Sequence, residues 1–237
     1  MPVLLLAQGD AEAKDLLRKA IEARYGLRPP ALENLQINFK GRVRAKIGPI
    51  VAWVPVETTA YFQFPTSMRW DFTAKPMGVS VQRGVDAFDG TTYRRTRGGS
   101  GPQIIGDNQQ INSIQGRLWA IAALFLTPLG EHFVKLTATG KNTLDATNTT
   151  INDTVSLYLR PDNTLDHVQV TCLNPDTEKQ QTFLLRTSTD QTSVNEFMLP
   201  HKISAFWDDA PYFEVEPIRV ESNPQITEAI FTLSTAT

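Results

Sequence analysis

Between Leu35 and Ile47 the odd positions Leu35, Ile37, Phe39, Val43, Ala45 and Ile47 are apolar, and the even positions Gln36, Asn38, Lys40, Arg42, Arg44 and Lys46 are polar. Period-two alternation over this length requires a long strand with one dry and one wet face, and Gly41, the odd position without a side chain, marks a bend. Such a strand needs hydrogen-bonding partners along its edges and a cover for its dry face. Gly48-Pro49 turns the chain into Ile50 to Phe64, where Ala52, Val54, Val56, Ala60, Phe62 and Phe64 continue the alternation on even positions. Pro55 argues against a fully paired central position there. Arg42, Arg44 and Lys46 alternate as a solvated strand face does, which disfavours reading them as a nucleic-acid patch.

The dry face gains rings further on. Phe62 and Phe64 precede Pro65-Thr66-Ser67; Met68, Trp70 and Phe72 follow it, with Gln63, Arg69 and Asp71 on the opposite parity. A third apolar run passes through Val79 and Val81 to Phe88-Asp89-Gly90, and Asp-Gly is a strong signal for a tight hairpin. Arg94, Arg95 and Arg97 come next as a strand whose cations either are solvated or meet an anion at a rim. The glycine run from Gly98 to Gly101 lacks the Lys-Ser/Thr ending of a phosphate-cradling loop. So many large rings on one sheet face must be covered, because burial of each is strongly favourable.

Two segments have helical periodicity. From Asp10, Leu16, Leu17, Ala20, Ile21 and Ala23 form a stripe that Gly26 and Pro29-Pro30 terminate. From about Asn112 to Thr127, Ile114, Leu118, Ile121, Ala122, Phe125 and Leu126 form a broad apolar stripe that Trp119 and Leu124 widen further. A helix this apolar is either buried core or lies across a concave sheet and encloses a greasy cavity. From His132 onward short strands alternate with polar turns such as Pro161-Asp162-Asn163 and Asn174-Pro175-Asp176. The sum is an α+β chain that is mainly antiparallel β.

Composition excludes several functions. The 23 basic and 25 acidic residues leave a net charge of −2, which gives no broad attraction to nucleic acid or to an anionic membrane. A single cysteine, Cys172, rules out an internal disulfide and a cysteine-built metal cluster. His132, His167 and His201 are scattered without metal-ligand spacing, and no nucleophile has an identifiable partner. Asp208-Asp209 and Glu214 with Glu216 could supply an acid and a base, but such pairs are common on solvated turns and strand faces. The expectation is therefore no enzyme, no catalytic residue, no metal and no cofactor. No segment approaches the roughly 18 apolar residues of a membrane span. Residues 1–9, with Val3 to Leu6 apolar and Ala7 and Gly9 small, read either as the remnant of an export signal or as an ordinary apolar extension.

The order of motifs resembles the LolA/LolB-type superfamily. The resemblance runs from about Leu16 to Leu233 and rests on "FPTSMRWDF", "DAFDGTTY", "LYLRPDNTLDHVQV" with Tyr158, Pro161, Leu165 and Val168, "MLPHKISAFW", and a tail carrying Asn223, Ile226 and Phe231. It implies a single domain over 10–237, built as an unclosed half β-barrel of about eleven strands whose helices cover the concave face. It also implies a hydrophobic cavity between sheet and helical lid that binds or carries lipid or lipoprotein acyl chains. The lining candidates are Phe62, Phe64, Trp70, Phe72, Trp119, Leu126 and Phe133. A monomer is expected, in the periplasm or otherwise outside a bacterial cytoplasm. Its expected partners are lipid or lipid-modified protein and a membrane-bound delivery or release partner. The same fold with a filled core would instead be a noncatalytic interaction or sensor module. In the carrier LolA an arginine immediately before the proline of the second aromatic strand latches the lid; Phe64 stands at that position here. The resemblance thus implies general lipid binding more than dedicated lipoprotein sorting.

Overall fold

A computed structural model describes residues 6–47, 49–75, 82–195 and 197–233. Residues 1–5 of the apolar N-terminal stretch, Gly48 of the Gly48-Pro49 turn, and the run through Val79 and Val81 lie outside the described residues. In chain order the elements are β1 (Gln8–Gly9), α1 (Ala11–Tyr25), β2 (Asn34–Ile47), β3 (Ile50–Gln63), β4 (Ser67–Ala74), β5 (Gln82–Phe88), β6 (Tyr93–Arg97), β7 (Gln103–Ile105) and α2 (Asn108–Leu124). There follow β8 (Val134–Gly140), β9 (Thr143–Asn148), β10 (Asp153–Leu159), β11 (Leu165–Asn174), β12 (Lys179–Thr187), β13 (Gln191–Val194), β14 (Phe197–Pro200), β15 (Ile203–Trp207), β16 (Ala210–Ser222) and α3 (Ala229–Thr232).

Among the described residues fourteen strands form one sheet in the order β1-β8-β9-β10-β11-β12-β15-β16-β2-β3-β4-β5-β6-β7. The pairings are antiparallel except for that of β1 with β8. The end strands β1 and β7 do not pair with each other, so the sheet stays open, with three more strands than the sequence suggests. The excess comes from short edge pieces such as β1 and β7, two and three residues long, which carry no periodic pattern of their own.

The alternation in β2 sets the layering. Leu35, Ile37 and Phe39 are buried on the concave side, whereas Val43 and Ala45, further along the same face, are only partly covered. Gly41 lies where β16 crosses closely: a Cβ there would fall 2.0 Å from the Glu214 carbonyl oxygen. Pro55 is tolerated in β3 because β4 pairs with β3 only from Val56 onward, and the Pro55 carbonyl accepts from the Lys75 N–H at 3.1 Å.

Helix α1 ends at Gly26, whose φ of 67° is the left-handed geometry that favours glycine. It packs beside β8, β9 and β14. Its buried Arg24 donates to the Leu124 carbonyl and the Tyr25 hydroxyl donates to the Phe125 carbonyl at 3.1 Å, so two side chains of α1 satisfy carbonyls at the C-terminus of α2. Helix α2 begins earlier than its apolar stripe because Asp107 accepts from the Gln109 N–H at 3.0 Å and caps it. It lies against β10, β11 and β12. Asn223 joins the chain's tail to the start of β2: its Oδ1 accepts from the N–H groups of Glu33 and Asn34 at 3.0 and 3.2 Å, and its Nδ2 donates to Ala31 at 2.7 Å. Phe231 of α3 is buried against the side of β4 and β5 opposite the cavity, where Arg69 donates to the Ile230 carbonyl at 3.1 Å.

The Asp-Gly hairpin joins β5 to β6. The Asp89 Oδ1 accepts from the Thr91 and Thr92 N–H groups at 3.0 and 2.8 Å, and its other oxygen meets Arg94 at 2.5 Å. Burial alone would raise this carboxyl, but Arg94 and the threonine donors outweigh it and hold the pKa at about 2. The folded value lies below the roughly 3.9 of an unfolded aspartate, so the stabilisation is present above that pH and is lost as pH falls through about 2. Asp89→Asn is expected to destabilise by about 1 kcal/mol at neutral pH, allowing for solvent screening. In urea melts the difference from wild type should close between about pH 4 and pH 2; a gap that persists at the lower pH would show that charge is not its source.

Candidate functional site

The concave interior has two parts, and the same strands build both. At one end Ala60 and Phe62 of β3 belong to one continuous buried core with Leu118, Trp119, Ala122, Phe125 and Leu126 of α2 and the segment that follows it. Trp119 is fully enclosed there, and its Nε1 donates to the Ala146 carbonyl at 2.9 Å. At the other end β2, β3, β4 and β16 stand away from α2 and leave a cavity of about 270 Å³. Its apolar lining comes from Val43, Ala45, Val56, Trp70, Phe72, Phe213 and Val215 on the sheet and from Ile114 and Ile121 on α2.

The seven residues singled out from sequence divide between these parts. Trp70 and Phe72 line the cavity. Phe62, Trp119 and Leu126 are in the closed core, and Phe64 and Phe133 are partly buried against it. The Trp70 ring stacks on Phe39 at 5.8 Å and meets Phe62 edge-on at 6.0 Å, bridging the two parts. Phe64 stacks on Phe62 at 5.5 Å and touches Phe125 at 5.7 Å, so the position before Pro65 makes an aromatic contact to the end of α2. Phe72 lies across Gly84, where a Cβ would fall 2.3 Å from the ring, and the Arg97 guanidinium covers it at 4.8 Å.

One wall of the cavity is polar. Asp86 projects from β5 and accepts from the Tyr93 hydroxyl at 3.0 Å, Arg95 at 3.1 Å, and both its oxygens accept from Arg97 at 3.0 and 2.9 Å. Arg95 also donates to the Tyr93 hydroxyl at 2.9 Å. Burial, then the Asp86 carboxylate, push the Tyr93 pKa up, and burial does the same for Tyr212, so both phenols stay neutral donors. Arg117 reaches the cavity from α2. Thr58 lines the cavity from β3, and its buried hydroxyl has no hydrogen-bond partner among the described residues.

Of this wall, sequence reasoning singled out Arg95 and Arg97, as cations either solvated or meeting an anion at a rim, and the anion they meet is Asp86; it missed Asp86, Tyr93 and Arg117. The signal for Arg117 was present: it stands three residues after Ile114 and four before Ile121, inside an apolar helical stripe where a cation has no ordinary place. Asp86 and Tyr93 carry no comparable mark, because their place beside Arg95 and Arg97 depends on strand register across β5 and β6.

The carboxylates weighed as an acid and a base sit in other surroundings. Glu214 pairs with Arg42 at 2.7 Å, Glu216 with Lys40 at 3.4 Å, and Asp208 accepts from Gln181 and the Thr182 N–H. His167 stacks on Tyr158 at 4.2 Å beside Asp166. Among the described residues no group of three or more His, Cys, Asp or Glu could hold a metal ion, and no helix is long and apolar enough to cross a membrane.

No protein-family model matches the sequence. No curated protein matches it either. The structure is similar to that of a LolA superfamily protein from Nitrosomonas europaea, at 12% identity and a TM-score of 0.51, covering 92% of this chain and 96% of that one. It is also similar to a DUF1329 family protein from Desulfovibrio piger, at 10% identity and a TM-score of 0.53, covering 94% and 98%. The chain therefore has the LolA-type fold, an unclosed, mainly antiparallel barrel with few helices.

Proposed function

We propose that this protein is a noncatalytic binder or carrier that takes an acyl chain of a lipid or lipid-modified protein into the space between its curved sheet and α2, outside a bacterial cytoplasm. The observation that carries the reading is the cavity of about 270 Å³ lined by Trp70, Phe72, Ile114 and Ile121. Its size falls just below the roughly 300 Å³ at which small-molecule pockets begin, and suits one chain better than several. The fold shared with a LolA superfamily protein supports the same reading. Methylenes entering such a site leave water at about 0.8 kcal/mol each, with no chemistry required of the protein.

Native mass spectrometry of the purified chain, followed by delipidation and titration with a fluorescent fatty acid, tests this. The expected result is a co-purifying amphiphile and saturable uptake at one site. No co-purifying lipid together with no uptake would leave the interaction-module reading, in which the filled half of the interior is the whole of the core.

A further inference from the structure

We infer that the polar wall of the cavity recognises an anionic headgroup, so that the ligand is a single-chain amphiphile ending in a carboxylate or phosphate, with Arg117 as its counter-ion. The inference rests on the acyl-chain reading and adds the headgroup to it. Arg117 is partly buried on α2, and its own contact is a long bond of 3.4 Å from Nε to the Ser113 carbonyl, one turn back in the same helix. Among the described residues Arg117 takes part in no ion pair. Asp86 does not offset it, because that carboxylate is already shared by Arg95 and Arg97. Among the described residues the cavity lining carries two guanidiniums, Arg97 and Arg117, and one carboxylate, Asp86, beside apolar surface where a cation without a partner is costly.

Neutral donors complete the site. The Tyr212 hydroxyl, on the same cavity and close enough to feel the Arg117 charge, has no hydrogen bond among the described residues, and neither has the buried Thr58 hydroxyl. A guanidinium with hydroxyl donors suits a carboxylate or phosphate oxygen, whereas a neutral or cationic headgroup would leave Arg117 desolvated and unpaired. Charge-assisted bonds of this kind are the strong ones, so the headgroup adds selectivity to whatever the chain contributes.

Calorimetric titration of the delipidated full chain with dodecanoate, with dodecanol and with inorganic phosphate alone separates the outcomes. Dodecanoate is expected to bind at least about tenfold more tightly than dodecanol. Phosphate alone is expected to bind far more weakly than dodecanoate. In Arg117→Gln the acid should weaken to the level of the alcohol while the alcohol is unchanged, and Arg117→Lys should keep part of the preference. Equal binding of acid and alcohol by the wild type would overturn the headgroup inference and leave the acyl-chain reading standing. Equal weakening of both ligands by Arg117→Gln would overturn it too, since Arg117 would then be acting on the shape of the cavity. Phosphate binding as tight as dodecanoate would replace the amphiphile with a free anion, and failure of both chain ligands would overturn the two readings together. Should Arg117→Gln not fold, the acid-to-alcohol ratio in the wild type and in Arg117→Lys decides.

Discussion

Trp119→Ala is expected to destabilise the protein by about 4 kcal/mol and to lower Tm by about 10 °C. The ring is fully enclosed between α2 and the strands behind it, so its removal leaves a void that the close-packed neighbours fill only in part. The Nε1 bond to the Ala146 carbonyl at 2.9 Å is lost as well. Trp119→Phe separates the two contributions: it keeps most of the buried apolar surface, and its cost is expected to be about 1–2 kcal/mol, from the lost bond and imperfect fit. Urea unfolding of both variants gives these numbers directly. The same variants show which half of the interior Trp119 serves. If the ring belongs to the closed core, fatty-acid affinity of the folded Trp119→Ala protein stays near wild type; a selective loss of ligand with little loss of stability would put it in the binding site.

The periodicity in β2 and β3 makes the layering legible in the sequence, because a long alternating strand has few other ways to bury one face. The same holds for the Asp89-Gly90 hairpin and for the two long helices, whose stripes are local, although α2 runs from Asn108 to Leu124 and so ends three residues before the expected Thr127. What local pattern could not convey is where along those faces the packing stops. Phe62 and Phe72 have the same parity and similar neighbours in sequence, yet Phe62 is closed into the core and Phe72 lines a cavity. The difference lies in how α2 sits: it packs on β10 and β11 and stands away from β2 to β4 at one end, and such placement depends on contacts between residues far apart in the chain. The carboxylate that Arg95 and Arg97 meet was hidden for the same reason. Asp86 reads as an ordinary strand carboxylate until register sets it beside Tyr93, Arg95 and Arg97.

That division gives the most direct test of the cavity as the binding site. Ile121 lies on α2 facing the open end, partly buried and in contact with the space between helix and sheet. Ile121→Trp places an indole in that space, and since the cavity is there to receive it, folding stability is expected to change by less than about 1 kcal/mol. Ligand affinity is expected to fall much further. Excluding about three methylenes of an acyl chain forfeits about 2.4 kcal/mol, which corresponds to roughly a 50-fold rise in Kd. Stability from urea unfolding and affinity from fluorescent fatty-acid titration should therefore move independently, in the opposite sense to Trp119→Ala. The headgroup preference should survive in whatever binding remains, because Arg117 is one helical turn away from Ile121 and is untouched. An Ile121→Trp protein that folds normally and binds fatty acid as tightly as wild type would place the ligand somewhere other than this cavity.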